Sequence, residues 1–335
     1  MLQMSADHEK TLMDARAGRD LSCFDVTSVD DLTDADVDLI FELAAAFKKM
    51  GNFKYAFLRG TTTFNAFFED STRTRASFEL AGKQLGSETI NIMSKGTSVA
   101  KGETLHDTAQ TLDAMRADLL VVRTEFSGIP QFLAQHVSAA VMNAGDGTHE
   151  HPSQALLDAF TLVERFGKAK LKGKTVTVIG DISHSRVFGS FARLAPRLGM
   201  KMRVAAPRTF IRNGFQEAFP HVQVFLKVEE ALEDVDIVMA LRVQQERGGG
   251  KCLPTLREFS KTFGVNEKRF ALAKKDAVLM HPGPVMRDVE VHNVLMTRDR
   301  TLVLAQVENG LAVRCALLWL LAKRVDGKKK SFTRI

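Results

Sequence analysis

Short apolar and β-branched runs recur along the chain at residues 62–68, 89–93, 119–122, 138–143, 175–179, 201–205, 222–226, 236–241 and 277–280. Leu119-Leu120-Val121-Val122 and Thr175-Val176-Thr177-Val178-Ile179 are nearly continuous in apolar character, the pattern of strands buried on both faces. Between the runs lie longer helical stretches, at 73–85, 103–116, 152–166 and 186–198. Residues 29–49 also read as helical, with Asp30, Asp31 and Thr33 as caps and Val37, Ile40, Leu43, Ala44 and Phe47 at helical spacing. Strands alternating with helices predict an α/β fold of parallel sheets joined by crossover helices. Residues 1–20 are polar and lack a stable period, and are expected to form a loosely held extension. A chain of 335 residues exceeds one ordinary core, so two domains are expected. The basic stretch from Gly167 to Lys174 follows a helix and precedes a fresh βαβ series, which puts the junction near 155–172. No repeat and no low-complexity segment interrupts this organisation.

Composition narrows the class. Hydrophobic residues at 45% and charged residues at 26% are ordinary globular values and exclude collagen-like and disordered chains. No run of about 18 apolar residues suggests a membrane span, and the N-terminus lacks an apolar signal core, so a cytoplasmic protein is expected. The cysteines, Cys23, Cys252 and Cys315, are far apart and form no CxxC pair, which argues against a disulfide framework or a zinc ribbon. Lys plus Arg exceeds Asp plus Glu by 46 to 40. The only basic run is Lys328-Lys329-Lys330 at the end of the chain. A nucleic-acid surface would cluster bases with aromatics along one element, so the excess fits a solvated surface plus anion-binding arginines.

Ligands of open α/β sheets bind beyond the carboxyl ends of the strands, so the residues following each strand carry the chemistry. After 62–68 comes Glu69-Asp70-Ser71-Thr72-Arg73-Thr74-Arg75 at a strand-to-helix turn. Hydroxyls and guanidinium groups at a helix N-terminus make a phosphate cradle; a plain N-cap would need one hydroxyl. Arg123 follows the third strand, and His149-Glu150-His151-Pro152-Ser153-Gln154 follows the fourth. His151 and Gln154 suit hydrogen bonding to a carbonyl-type group, with a structural histidine as the alternative, and the absence of HExxH disfavours a metal. Gly180-Asp181 leads to Arg186, and Arg242-Val243-Gln244 with Glu246-Arg247 follows the buried run 236–241. A guanidinium beside an amide suits a carboxylate, while Arg247 fits a salt bridge between domains. Lys101 ends a polar stretch and by itself reads as a surface lysine. Neither GxxxxGK[ST] nor a strand-following GxGxxG is present, so mononucleotide loops and dinucleotide cofactors are unsupported.

Phe67-Phe68-Glu69-Asp70-Ser71-Thr72-Arg73-Thr74-Arg75, followed by Ser77-Phe78-Glu79, resembles the carbamoyl-phosphate motif of the aspartate and ornithine carbamoyltransferases. The likeness continues in order through Ser98-Val99-Ala100-Lys101-Gly102-Glu103-Thr104, Gly145-Asp146-Gly147, His151-Pro152-Ser153-Gln154, His184-Ser185-Arg186, Arg242-Val243-Gln244, His281-Pro282-Gly283-Pro284-Val285 and Gln306-Val307-Glu308-Asn309-Gly310. His281-Pro282-Gly283-Pro284 and Arg242-Val243-Gln244 resemble the aspartate branch; ornithine enzymes carry His-Cys-Leu-Pro and Ser-Met-Gly there.

The resemblance implies two domains, each a parallel-type sheet flanked by helices on both faces, with the C-terminal helix returning to the first. Residues 1–155, completed by 310–335, would bind carbamoyl phosphate, and residues 156–309 would bind aspartate. It further implies carbamoyl transfer from carbamoyl phosphate to the amino group of L-aspartate, an early step of de novo pyrimidine biosynthesis, with no metal and no organic cofactor. Ser71, Thr72, Arg73 and Thr74 would hold the phosphate. Thr74, Arg123 and His151 would polarise the carbamoyl carbonyl, and Gln154 would bind its NH2. Arg186, Arg242 and Gln244 would hold aspartate, with the backbone of Gly283 and Pro284 near the amino groups. Ser98 and Lys101 would enter a neighbouring subunit's active site, making a homotrimer the functional minimum. Glu69 would bridge to Arg186 and Arg247 on domain closure. Relatives pair with a regulatory chain or with dihydroorotase, and no residue here selects either. The chain departs from the family's pattern at Asp70, commonly Pro or Ala, at Met286, often Asn, and at Thr124, often His. Asp70 is expected to point away from the phosphate.

Overall fold

A computed structural model describes residues 2–51, 54–93, 104–244 and 255–327. The chain divides into two compact units, residues 1–156 with 309–335 and residues 157–308. In chain order the first unit starts with α1 (Leu2–Arg16), α2 (Asp34–Met50), β1 (Thr62–Phe67), α3 (Thr72–Leu85), β2 (Glu88–Met93), α4 (Leu105–Ala114), β3 (Leu119–Thr124), α5 (Ile129–His136) and β4 (Ala140–Asp146). Helix α6 (Pro152–Phe166) leads into β5 (Thr175–Ile179), α7 (Arg186–Arg197), β6 (Lys201–Ala205), α8 (Phe215–Ala218), β7 (Val222–Phe225), α9 (Val228–Leu232), β8 (Ile237–Ala240), α10 (Leu256–Phe263), α11 (Glu267–Phe270) and β9 (Val278–Met280), and α12 (Val303–Gly327) closes the chain.

Each unit holds one all-parallel sheet, ordered β2-β1-β3-β4 in the first and β7-β6-β5-β8-β9 in the second. Every residue of β4, at the edge of its sheet, and of β8, inside its sheet, is buried, so both faces of these strands are covered, as parallel pairing requires. Phe64, Leu120, Val122, Leu133 and Val141 share one core in the first unit. In the second, Val176, Val178, Val204, Val238 and Phe191 are buried. The predicted strands and helices form. β4 runs on to Asp146 instead of ending at 143 because its polar residues are paired inside the fold: Asn143 Nδ2 donates to Thr27 O at 2.8 Å and to Asp146 Oδ1 at 2.8 Å.

The N-terminal expectation is corrected. Residues 2–16 form a helix whose Leu12 and Arg16 are buried. Arg16 lies 5.0 Å above the Trp319 ring and donates to Trp319 O at 3.2 Å. Trp319 in turn stacks on Phe57 at 4.4 Å. α12 also ties back to α3, where Arg314 Nη1 donates to Ser77 Oγ at 2.9 Å, so the C-terminal helix packs on the first unit. By length and composition Val303–Ala322 of α12 could cross a membrane, against the sequence expectation, but 67% of it is buried inside the fold, as suits a core helix.

Candidate active site

In the first unit the phosphate motif occupies the turn between β1 and α3. Ser71 is the N-cap of α3 in extended conformation, yet its side chain makes no capping hydrogen bond, and the first turn carries no acid. Its hydroxyl therefore does not cap the helix, and the positive end of the α3 dipole is not offset by an acid in the first turn. Thr72 and Arg73 are exposed and Thr74 is buried. Parallel pairing aligns Phe67 with Arg123, and the β3–β4 register shifts between Val122 and Thr124, around Arg123. The Arg123 guanidinium is held on several sides. Its Nη1 donates to Thr74 Oγ1 at 3.5 Å and to Ala144 O at 3.4 Å, and its Nε lies 3.5 Å from Glu69 Oε2. Asp70 is exposed.

His151 and Gln154 are buried at the start of α6. His151 O accepts from Gln154 N at 2.9 Å, and its Nδ1 lies 3.4 Å from Ser153 Oγ. The loop before it is fixed by two buried acids. Glu150 accepts from Ser28 Oγ at 2.5 Å and Val29 N at 3.0 Å. Asp146 accepts from Gly128 N at 2.7 Å, Glu150 N at 3.1 Å, His149 Nδ1 at 3.1 Å and Asn143. Burial pushes the Asp146 carboxyl up, but its donors outweigh burial and hold it below the usual carboxylate range. His149 and Glu150 thus serve the loop, and among the described residues no three His, Cys, Asp or Glu side chains converge as metal ligands.

The second unit carries the other set. Arg186 is the first residue of α7, buried behind the N-cap Ser185, whose side chain accepts from Phe188 N at 3.2 Å. Arg242 Nη2 donates to Gln244 Oε1 at 3.0 Å, so guanidinium and amide are paired just beyond β8. Gly180 permits the close approach of β5 to this segment: at φ +132°, a Cβ there would meet Leu241 O at 2.4 Å. Asp181 accepts from Gln244 N at 3.0 Å and His184 Nδ1 at 2.7 Å. Burial nevertheless raises its carboxyl above the ordinary value, against the pull of His184 and Gln244. Beyond β9, Gly283 N donates to His281 Nδ1 at 2.8 Å, and the Gly283–Pro284 peptide is cis. His281 N donates to Gln306 Oε1 at 3.0 Å, and Gln306 Nε2 donates to Asp158 Oδ1 at 2.7 Å.

The structure therefore brings Thr74 to Arg123 within the first unit and Arg242 to Gln244 within the second. Ser98, Lys101 and Arg247 lie outside the described residues. Sequence reasoning missed Glu290, which is buried and accepts from Val243 N at 3.3 Å and Met286 N at 2.8 Å. It also left His281 without a role. The one available signal was the His281-Pro282-Gly283-Pro284 motif.

Two family models match the chain in succession: "Aspartate/ornithine carbamoyltransferase, carbamoyl-P binding domain" over residues 25–164 and "Aspartate/ornithine carbamoyltransferase, Asp/Orn binding domain" over residues 172–321. The aspartate carbamoyltransferase catalytic subunit of Sorangium cellulosum is 51% identical over 269 residues, covering 80% of this chain and 83% of that protein. That of Syntrophotalea carbinolica is 45% identical over 300 residues, covering 89% and 95%. Among solved structures, aspartate transcarbamoylase from Trypanosoma cruzi in complex with carbamoyl phosphate and aspartate superposes with a TM-score of 0.79 at 29% identity, over 89% of this chain and 96% of that one. Ornithine carbamoyltransferase from Thermus thermophilus gives 0.78 at 26% identity, over 89% and 99%. With both models matched in order along one chain, and relatives at this identity over most of its length, the chain belongs to the aspartate/ornithine carbamoyltransferase family.

Proposed function

We propose that this chain transfers the carbamoyl group of carbamoyl phosphate to the amino group of L-aspartate, giving N-carbamoyl-L-aspartate and phosphate, in de novo pyrimidine biosynthesis. The neutral amine attacks the carbonyl carbon, forming the C–N bond. The carbonyl oxygen gains negative charge, the bond to the phosphate oxygen breaks with its electron pair leaving on phosphate, and the amine loses a proton. Ser71, Thr72, Arg73 and Thr74 hold the phosphate at the N-terminus of α3. Thr74, Arg123 and His151 face the developing oxyanion, and Gln154 takes the carbamoyl NH2. Donors fixed before the reaction need no reorganisation as charge develops, and one such donor is worth about 3 kcal/mol. Arg186, Arg242 and Gln244 hold the carboxylates of aspartate, with backbone of Gly283 and Pro284 beside the amine. Holding two anions against their repulsion is an orientation effect.

The observation that carries this reading is the contact of Arg123, near the end of β3, with Thr74 in the first turn of α3, in a chain of this family. It supports a guanidinium and a hydroxyl directed at one oxygen. The same reading places Ser98 and Lys101 in a neighbouring subunit's active site within a cytoplasmic homotrimer, and assigns Glu69 and Arg247 to domain closure. An acceptor panel tests it. Purified protein receives carbamoyl phosphate with aspartate, ornithine, acetylornithine or putrescine, and ureido product and phosphate are followed. Turnover with aspartate alone is expected. Turnover with a different amine would keep the phosphate half and overturn the acceptor half. No turnover with any amine would favour a non-catalytic subunit.

A further inference from the structure

The late loop and the Arg242 segment are joined by a group that the reaction itself does not use. Glu290 is buried, and its two carboxylate oxygens reach different segments: Oε1 accepts from Val243 N at 3.3 Å, and Oε2 accepts from Met286 N at 2.8 Å. Val243 lies between Arg242 and Gln244, and Met286 lies two residues past Pro284. The main chain of Glu290 is itself fixed, because its carbonyl accepts from Val265 N at 2.8 Å and His292 N donates to Val265 O at 2.9 Å. His281 Nε2 lies 3.9 Å from Glu290 Oε2. Since His281 Nδ1 accepts from Gly283 N, a neutral ring carries its proton on Nε2, the edge turned to the carboxylate.

We propose that Glu290 is a positioning residue for the second substrate, clamping the 242–244 segment and the 283–286 loop into one rigid acceptor subsite. The inference rests on the reading of those two segments as the acceptor site. Both hydrogen bonds end on backbone N–H groups, so the clamp fixes where the chain lies without using the side chains of Arg242 and Gln244. A carboxylate suits the role because it accepts at both oxygens. An amide of the same shape accepts at one atom and presents an N–H donor to the other N–H.

The test is Glu290→Gln in the full chain, with Glu290→Ala beside it, by initial-rate kinetics varying aspartate and carbamoyl phosphate separately. For Glu290→Gln we expect the aspartate KM to rise about tenfold, in keeping with loss of a hydrogen bond to a charged acceptor. The KM for carbamoyl phosphate should stay within about twofold, with native circular dichroism. Glu290→Ala, where it folds, should be at least as impaired for aspartate. An aspartate KM within twofold of the parent in Glu290→Gln would overturn the clamp, and so would an equal rise in both KM values, which marks a general structural role. If Glu290→Ala fails to fold, Glu290→Gln alone decides. Failure of the parent protein to use aspartate would instead overturn the acceptor assignment, and the same kinetics would then be run with the amine it does use.

Discussion

Buried acids stand behind the site residues of both units, and they are held differently. In the first unit Asp146 accepts from Gly128 N, Glu150 N, His149 Nδ1 and Asn143 Nδ2, and these donors bring its carboxyl below the usual range despite burial. In the second, Glu290 accepts from the backbone of Val243 and Met286, and burial pushes its carboxyl up to about 7, with those donors and Arg242 pulling the other way. Desolvation acts in both places, and the number of donors decides which way the balance falls. The first unit thus holds the loop before His151 with an acid whose carboxyl lies below the usual range. The second ties the 242–244 segment to the 283–286 loop with an acid near its titration point at neutral pH.

The comparison is broken most directly at Arg123, whose guanidinium is already held by Thr74, Ala144 and Glu69. Arg123→Ala should lower kcat by about 10²–10³, the loss found when one oxyanion donor is removed. A fall of less than about tenfold in steady-state assays would remove Arg123 from the reaction. The scaffold offers the next largest effect, because the first unit is completed by both ends of the chain while the second is one continuous stretch. Leu12→Ala opens a cavity where α1 is buried and should cost about 3 kcal/mol, read as a lowered denaturation midpoint. An unchanged midpoint would restore the view of residues 1–20 as a loose extension.

That helix shows where sequence reading stops. The interior-facing residues of α1 include Arg16, which packs its guanidinium over Trp319, and a buried arginine reads as a solvent-facing one in any hydrophobic pattern. β3 and β8 were legible because parallel strands buried on both faces are nearly continuous in apolar residues. Arg123, read as following the third strand, is the last residue but one of β3, while the places of Ser71–Arg75, Arg186 and Arg242 were legible because each follows its strand in sequence. Glu290 was not, since its partner Val243 is 47 residues away and contributes a backbone N–H, a group that every residue except proline carries.

Titration sharpens the contrast between the units. Glu290 is raised from 4.5 to about 7, so between those values the native state keeps a proton that the unfolded chain has released. Its contribution to stability is full below the unfolded value and is lost as pH rises through the folded one, on the order of 3 kcal/mol in all. Asp181, also raised, acts with the same sign. Asp146 acts oppositely: its contribution is present above the ordinary 3.8 and is lost as pH falls through its lower folded value. Denaturation midpoints across pH 4.5 to 8 should therefore fall less steeply in Glu290→Gln than in the parent; parallel curves would show that the Glu290 carboxyl is not raised. Arg242→Ala, which removes the partner of Gln244, should raise the aspartate KM about 10- to 30-fold through loss of a charged hydrogen bond. An unchanged aspartate KM would detach this pair from the acceptor.

The smallest effect is expected at Asp70, the acid nearest in sequence to the phosphate cradle. It precedes Ser71 directly and is exposed, whereas Asp146 and Glu290 are buried. A charge in water interacts with a neighbour at about 4 Å by roughly 1 kcal/mol, and salt at about 0.15 M screens it beyond about 8 Å. Asp70→Ala should therefore change the carbamoyl-phosphate KM by less than about twofold at that salt. A fall of fivefold or more would mean that Asp70 repels the phosphate from close range, and the sequence departure would then be a brake on binding. Repeating the assay at low and high salt separates the two cases. A solvated acid loses what influence it has as salt rises, while one turned into the cradle keeps it, because desolvation, more than nearness along the chain, sets how strongly an acid acts on an anion.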